Sequence, residues 1–310
     1  MKIYLKLFGI FGVILLTQIS CSSKNYHQPK GQIENLTPSK YQKTPLTRQS
    51  VEITKKTYSF KYKFSSPSNE WFEWSWTYKR LETNEMINKF GISKSIFEPF
   101  QATEKNVKSR NRIIKTSLFK KEGNVISPDF NRMIPFYMGF TSPLYALTIR
   151  TLGKDSTPRE RVEFLLRFVQ DIPYGIPPTR SNSKVISGVL SPPQIFIEKW
   201  GDCDSKVLLI SSILAHEPRY KILLVYLEKH LLMAFEGRPH PNDSFIVFQG
   251  SKFILADPTG PAHLKLGNPG PDFKGNFKKI ELLQITSADR RIPHYVSRLI
   301  EVKKVKPFIN

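Results

Sequence analysis

An α+β fold built on antiparallel sheet is what this sequence predicts, and three observations predict it. Two aromatic runs alternate with period two, Tyr58-Phe60-Tyr62-Phe64 and Phe72-Trp74-Trp76-Tyr78. Two segments open on helix capping boxes, Thr157-Pro158-Arg159-Glu160 and Ser191-Pro192-Pro193-Gln194. Strand-like runs then follow one another after residue 219 with no helical period between them. Successive strands joined by short turns pair antiparallel, and helices grouped apart from them give α+β.

The 310 residues carry 47 Lys and Arg against 26 Asp and Glu, a net charge of +21. In residues 1–20, Lys2 and Lys6 precede an apolar run from Leu7 to Leu16, too short for a comfortable membrane span. Gln18-Ile19-Ser20-Cys21 follows, with a small residue before the cysteine. This stretch resembles a bacterial lipoprotein signal peptide, with Cys21 as the lipidation site. The resemblance implies an extracytoplasmic protein anchored to a bacterial membrane; simple secretion to the periplasm or beyond is the alternative. Removing Lys2 and Lys6 lowers the charge by two, to +19. So basic a chain fits anionic lipid or an anionic envelope polymer, and an exported protein is not expected to meet nucleic acid.

Residues 21–50 are polar and rich in Pro, Ser, Thr and Lys, and read as a flexible tether. Residues 51–150 read as an N-terminal extension and 151–310 as the main domain. The aromatic runs make a hairpin through Ser65-Ser66-Pro67-Ser68-Asn69. Their aromatic face either covers the core or forms an open platform for glycan, and the first is expected. A helix from about Leu81 to Phe90 is closed by Gly91. Residues 101–121 hold Lys105, Lys108, Arg110, Arg112, Lys115, Lys120 and Lys121, a basic patch for a polyanion or membrane surface. Residues 122–150 read as helix broken by Pro128 and Pro135.

Val162, Leu165, Leu166 and Val169 mark one face of the helix opened at Thr157, and Gly201 is expected to end the helix opened at Ser191. Asp202 is then an N-cap for a buried helix beginning at Cys203. A thiol in a first helical turn faces unpaired N–H groups and the positive dipole end, which lowers its pKa. Strands follow at 220–227, 230–235, 244–248 and 252–256, the last two as a hairpin around Gln249-Gly250-Ser251.

A thiol nucleophile needs a base, and the base needs an acid to orient it. Cys203, His230 and Asp257 supply that set. His230 starts one strand and Asp257 ends another, so the two meet only if 252–257 pairs with 230–235 and 244–248 lies outside. His216, His240 and His263 are the other bases available. His216 is at the far end of the Cys203 helix, roughly 18 Å away; the other two lie in proline-rich loops and are expected to be solvated. One candidate thiol and scattered histidines give no metal-ligand spacing, and no phosphate loop or dinucleotide signature occurs. No metal and no cofactor are expected.

Gly201-Asp202-Cys203-Asp204-Ser205-Lys206 opening a helix, His230 at a strand start and Asp257-Pro258-Thr259 closing a strand resemble the transglutaminase-like superfamily, within the papain-like cysteine-protease fold. Phe168-Val169-Gln170-Asp171-Ile172-Pro173-Tyr174 and Pro192-Pro193 add to the likeness, which covers about residues 155–270. Ser205 departs from the acid that many bacterial relatives carry two positions after the cysteine.

The resemblance implies a Cys-bearing helix packed on a small antiparallel sheet. It also implies a Cys-His-Asp triad acting on peptide or isopeptide amide bonds through an acyl-thioester. The oxyanion donors it implies are the Cys203 backbone amide and an upstream group, Gln170 or Tyr174. Water as acceptor gives hydrolysis and an amine gives cross-linking, with a peptide or protein as substrate in either case. A catalytically silent binding module on the same fold is the runner-up.

Overall fold

The computed structural model describes residues 35–44, 47–96, 103–123, 125–181, 184–217, 219–271, 273–285 and 300–307. Cys21 and the signal-like stretch lie outside the described residues. Those that are described belong to one unit, Ile33–Asn310.

Along the chain, β1 (Tyr41–Gln42), β2 (Arg48–Ile53), β3 (Thr57–Ser65) and β4 (Trp71–Lys79) lead into α1 (Arg80–Lys89) and β5 (Ile92–Ser93). Next come α2 (Glu104–Thr116), β6 (Phe119–Glu122), β7 (Val125–Pro128), α3 (Phe130–Leu152) and α4 (Pro158–Gln170). Short strands β8 (Tyr174–Gly175), β9 (Arg180–Ser181) and β10 (Lys184–Val185) precede α5 (Pro192–Glu198) and α6 (Cys203–Leu214). The last third is β11 (Ile222–Tyr226), β12 (Leu231–Glu236), β13 (Phe245–Phe248), β14 (Ser251–Ala256), β15 (Lys279–Leu282) and β16 (Ile300–Val305). The class is α+β, and the strand ladders are antiparallel.

The aromatic runs pair as β3 and β4 with Tyr62 opposite Trp74 and Phe60 opposite Trp76. All eight alternating aromatics are at most 8 % exposed, so the face is core as expected and not an open platform. Phe164 and Phe168 of α4 pack into it, with Phe168 4.8 Å from both Tyr62 and Trp74 by ring centroids. The sheet order is β16-β4-β3-β2, so residues 300–305 return to close the N-terminal sheet. No separate unit divides at residue 150. The tether reading is also corrected at residues 35–44 and 47–50, where Leu36 N–H donates to Glu198 Oε1 at 3.1 Å, Tyr41 pairs with Gly175 and Arg48 begins β2.

Helix α3 runs unbroken over 23 residues with Pro135 and Pro143 inside it. A proline lacks the N–H that its i−4 carbonyl would accept. At Pro143 that carbonyl is Gly139 O, and Ser142 Oγ donates to it instead at 3.1 Å. Tertiary packing against α6 does the rest, with Thr141 Oγ1 donating across to Ser212 O at 2.8 Å. His216 Nε2 meets Met138 O at 2.8 Å at the far end of α6 and so braces α3.

The second sheet has the order β13-β14-β12-β11-β15. Both its faces are covered, which explains the continuous apolar run in β11. Leu224, Met233 and Ala256 join the main core, while Leu223, Leu232 and Leu255 form a second cluster. Gln249 and Gly250 both have positive φ, as a tight hairpin turn requires. β14 pairs with β12, Met233 opposite Ala256, and β13 lies outside. That order carries His230 and Asp257 to the same end of adjacent strands.

Candidate active site

The cysteine is placed by what precedes it. Helix α5 ends at Lys199, whose φ of 65° is left-handed, and not at Gly201 as its composition led one to expect. Gly201 instead lies beside residues 173–175: its N–H donates to Pro173 O at 3.1 Å and its carbonyl accepts from Gly175 N at 3.3 Å. A Cβ on Gly175 would meet the Trp200 ring at 2.6 Å, so only glycine lets the two segments close. Tyr174 is thereby held next to the start of α6.

Asp202 caps α6, its carboxylate accepting from Ser205 N at 3.0 Å and from Ser205 Oγ. Ser205 Oγ in turn accepts from Leu190 N at 2.8 Å. Ser205 is fully buried and ties the cap to the 186–190 loop, which accounts for a hydroxyl at this position. Cys203 is the first residue of α6 and is half-buried.

His230 Nε2 lies 2.9 Å from Asp257 Oδ2. A neutral ring donating through Nε2 keeps its basic lone pair on Nδ1. Asp257 Oδ1 accepts from Thr259 N at 2.8 Å, and Asp257 O accepts from Gln170 Nε2 at 2.8 Å. The backbone amide of Leu231, one residue beyond His230, acts on the Cys203 thiol and favours its ionised form. His230 and Asp257 thus lie together at the strand ends nearest the opening of α6.

Gln170 is corrected as an oxyanion donor. It is 1 % exposed, and its amide nitrogen is engaged by Asp257 O and, at 2.9 Å, by Leu264 O. Its role is to bracket the Asp257 segment. A Cβ on Gly260 would meet Gln170 O at 2.2 Å, which shows how closely that segment seats. Burial, then the charges of Cys203, Asp202 and Asp204, push the Tyr174 phenol up to about 12, so it holds its proton.

The expectation of a lowered thiol pKa is corrected. Burial pushes the Cys203 thiol up, and the carboxylates of Asp204 and Asp202 push it further; only the Leu231 N–H among these influences favours the thiolate. Asp204 Oδ1 is 3.5 Å from Sγ. The dipole effect at a helix N-terminus is about 1 kcal/mol or less, so burial beside two acids outweighs it. Burial and Asp204 push Asp202 itself up to about 7. The resting site therefore holds a thiol, and a base must take its proton as it attacks.

Burial also pushes Asp257 up, but the His230 hydrogen bond and charge and the Thr259 amide outweigh it and leave Asp257 below the ordinary aspartate range. A carboxylate depressed on folding stabilises the native state above its unfolded value, about 3.9, and loses that effect as pH falls through the lower native value. The stability gap between the native chain and Asp257→Asn should therefore persist down to about pH 4 and shrink below it. Thermal unfolding across pH 2–8 measures this; a gap already absent at pH 5 would contradict it.

Two histidines considered from the sequence serve elsewhere. His216 braces α3, and His240 is close to Asp243 through its backbone N–H at 2.7 Å. His263 is not simply solvated: its Nε2 is 2.6 Å from Oδ1 of the fully buried Asp171. It lines a cavity of about 760 Å³ with Arg159, Arg167 and Gln170, whose lining includes none of Cys203, His230 and Asp257.

Sequence reasoning assigned no role to Lys206. It lies one turn after Cys203, is fully buried, and donates to Ile172 O at 2.5 Å and to Thr259 O. A lysine in an otherwise apolar helix stretch was the signal. Comparison with family models, with curated proteins and with solved structures finds no match for this chain.

Proposed function

We propose that this protein is a transglutaminase-like cysteine hydrolase that cleaves peptide or isopeptide amide bonds through an acyl-thioester on Cys203. The observation that supports the reading is the 2.9 Å His230–Asp257 pair, at a strand end whose next residue, Leu231, acts through its backbone on the Cys203 thiol. A helix opening on the cysteine and packed on an antiparallel sheet that presents histidine and acid from neighbouring strands is also what the papain-like fold would provide.

In the proposed reaction, His230 Nδ1 takes the proton from Cys203 as Sγ attacks the amide carbonyl carbon. Asp257 holds the imidazolium. The Cys203 backbone N–H and the Tyr174 hydroxyl stabilise the oxyanion. The C–N bond breaks as His230 returns the proton to the leaving amine, leaving the thioester. Water, deprotonated by His230, then attacks the thioester carbonyl; the carboxylic acid leaves and Sγ regains its proton. An amine in place of water gives transamidation through the same intermediate.

The thiol held protonated by burial and two acids favours a second reading, a catalytically silent binding module. The setting proposed for either is the cell envelope, through the lipid anchor at Cys21. Helix α2 supports an anionic partner there: Lys105, Lys108, Arg112 and Lys115 are exposed on it, and among its residues only Ile114 is buried. Mass spectrometry after incubation with envelope proteins and peptidoglycan peptides tests the proposal. An acyl adduct on Cys203 is expected, and retention of those polymers without any adduct would favour the binding module.

A further inference from the structure

Lys206 is the buried amine of the site, and its neighbours come from segments far apart in the chain. Its ammonium donates to Ile172 O, in the turn after α4, and to Thr259 O, in the segment after β14. Asp257, Asp202, Asp171 and Cys203 are near enough for their charges to act on it. Asp204 borders Cys203 and feels His230, and Asp171 carries His263. A fully buried lysine is expensive to desolvate, and charges are buried only where partners repay it. Here burial outweighs the acids gathered around the thiol and draws the Lys206 ammonium down to about 7, so the two carbonyl hydrogen bonds are what hold the side chain in place.

We infer that Lys206 is a positioning residue for the triad: its two hydrogen bonds fasten the Asp257 segment and the turn after α4 to the cysteine helix. The inference rests on reading Cys203, His230 and Asp257 as the reacting set. Two consequences follow from the geometry. Asp257 is held at both ends of its turn, by Gln170 Nε2 at its own carbonyl and by Lys206 at Thr259 O two residues on. Cys203, Asp202 and Asp171 act on the same amine, so the fastening point lies among the helix cap, the thiol and the Asp171–His263 pair.

The rate of Cys203 alkylation by iodoacetamide, measured on the whole protein from pH 5 to 10, separates positioning of the triad from mere stability. Lys206→Met keeps the length of the side chain and removes its donors; Lys206→Gln restores a donor. Lys206→Met is expected to slow alkylation at pH 7 about threefold or more, and Lys206→Gln to recover part of that rate. An unchanged rate in folded variants, with only a lower Tm, would overturn the inference. If neither variant folds, the side-chain ¹⁵N resonance of Lys206 decides in a chain that retains the lysine. Asp257→Asn should lower the pH at which that nitrogen loses its proton, and no shift would overturn the inference. Failure of the underlying reading looks different: His230→Ala would then leave alkylation of the otherwise native chain untouched.

Discussion

Replacing His230 by alanine will slow iodoacetamide alkylation of Cys203 at pH 7 by about a hundredfold, the ordinary contribution of a general base. The size follows from the electrostatics of the resting thiol. Burial, Asp204 and Asp202 hold it protonated, so little thiolate exists at neutral pH without a proton acceptor. In the proposed mechanism His230 is that acceptor, with Asp257 at its Nε2. In the variant, alkylation should keep rising as pH passes 9, because the thiol then titrates without a base. Stopped-flow or mass-spectrometric rates from pH 5 to 10 measure both effects. Equal rates in the two proteins would remove His230 from the mechanism.

The second large effect is on stability. Phe168→Ala should cost about 3–5 kcal/mol, in the range found for aromatic truncation in cores. Phe168 is fully buried and touches Tyr62 and Trp74 at 4.8 Å and Phe64 at 5.1 Å. It lies two residues before Gln170, on the helix whose end brackets Asp257. The aromatic sheet and the site are therefore joined through α4. Calorimetry should show one transition, lowered by about 10 °C, with alkylation of Cys203 changing at the same temperature as aromatic fluorescence. Two separate transitions, with only the aromatic one displaced, would mean that residues 51–150 form an independent subdomain.

Much of the site could be read from the residues because its requirements are local. Asp202 before an apolar run places a cap, and Thr157 with Glu160 places a box; both caps form as written. The strand order 244–252–230 follows from one chemical demand, that His230 reach Asp257, and β13-β14-β12 is the order found. What escaped was set by long-range packing. Prolines in α3 are tolerated because a neighbouring serine serves an orphaned carbonyl and α6 covers the helix. β15, Lys279–Leu282, looks too polar for a strand until β11 offers it an edge. The thiol was misjudged because dipole and cap are visible along the chain, whereas burial and the convergence of acids are not. Lys206 was passed over for the same reason: only the fold brings Thr259 O and Ile172 O to its ammonium.

The most direct measurement of the central claim is the search for a thioester on Cys203. The full chain is incubated with peptidoglycan peptides and envelope proteins, quenched in acid, and digested for mass spectrometry. The account predicts an acyl mass on the Cys203 peptide that hydroxylamine removes, that fades when His230 is replaced, and that is absent in Cys203→Ser. An unmodified Cys203 peptide at every time point, in protein whose thiol iodoacetamide still reaches, would contradict it.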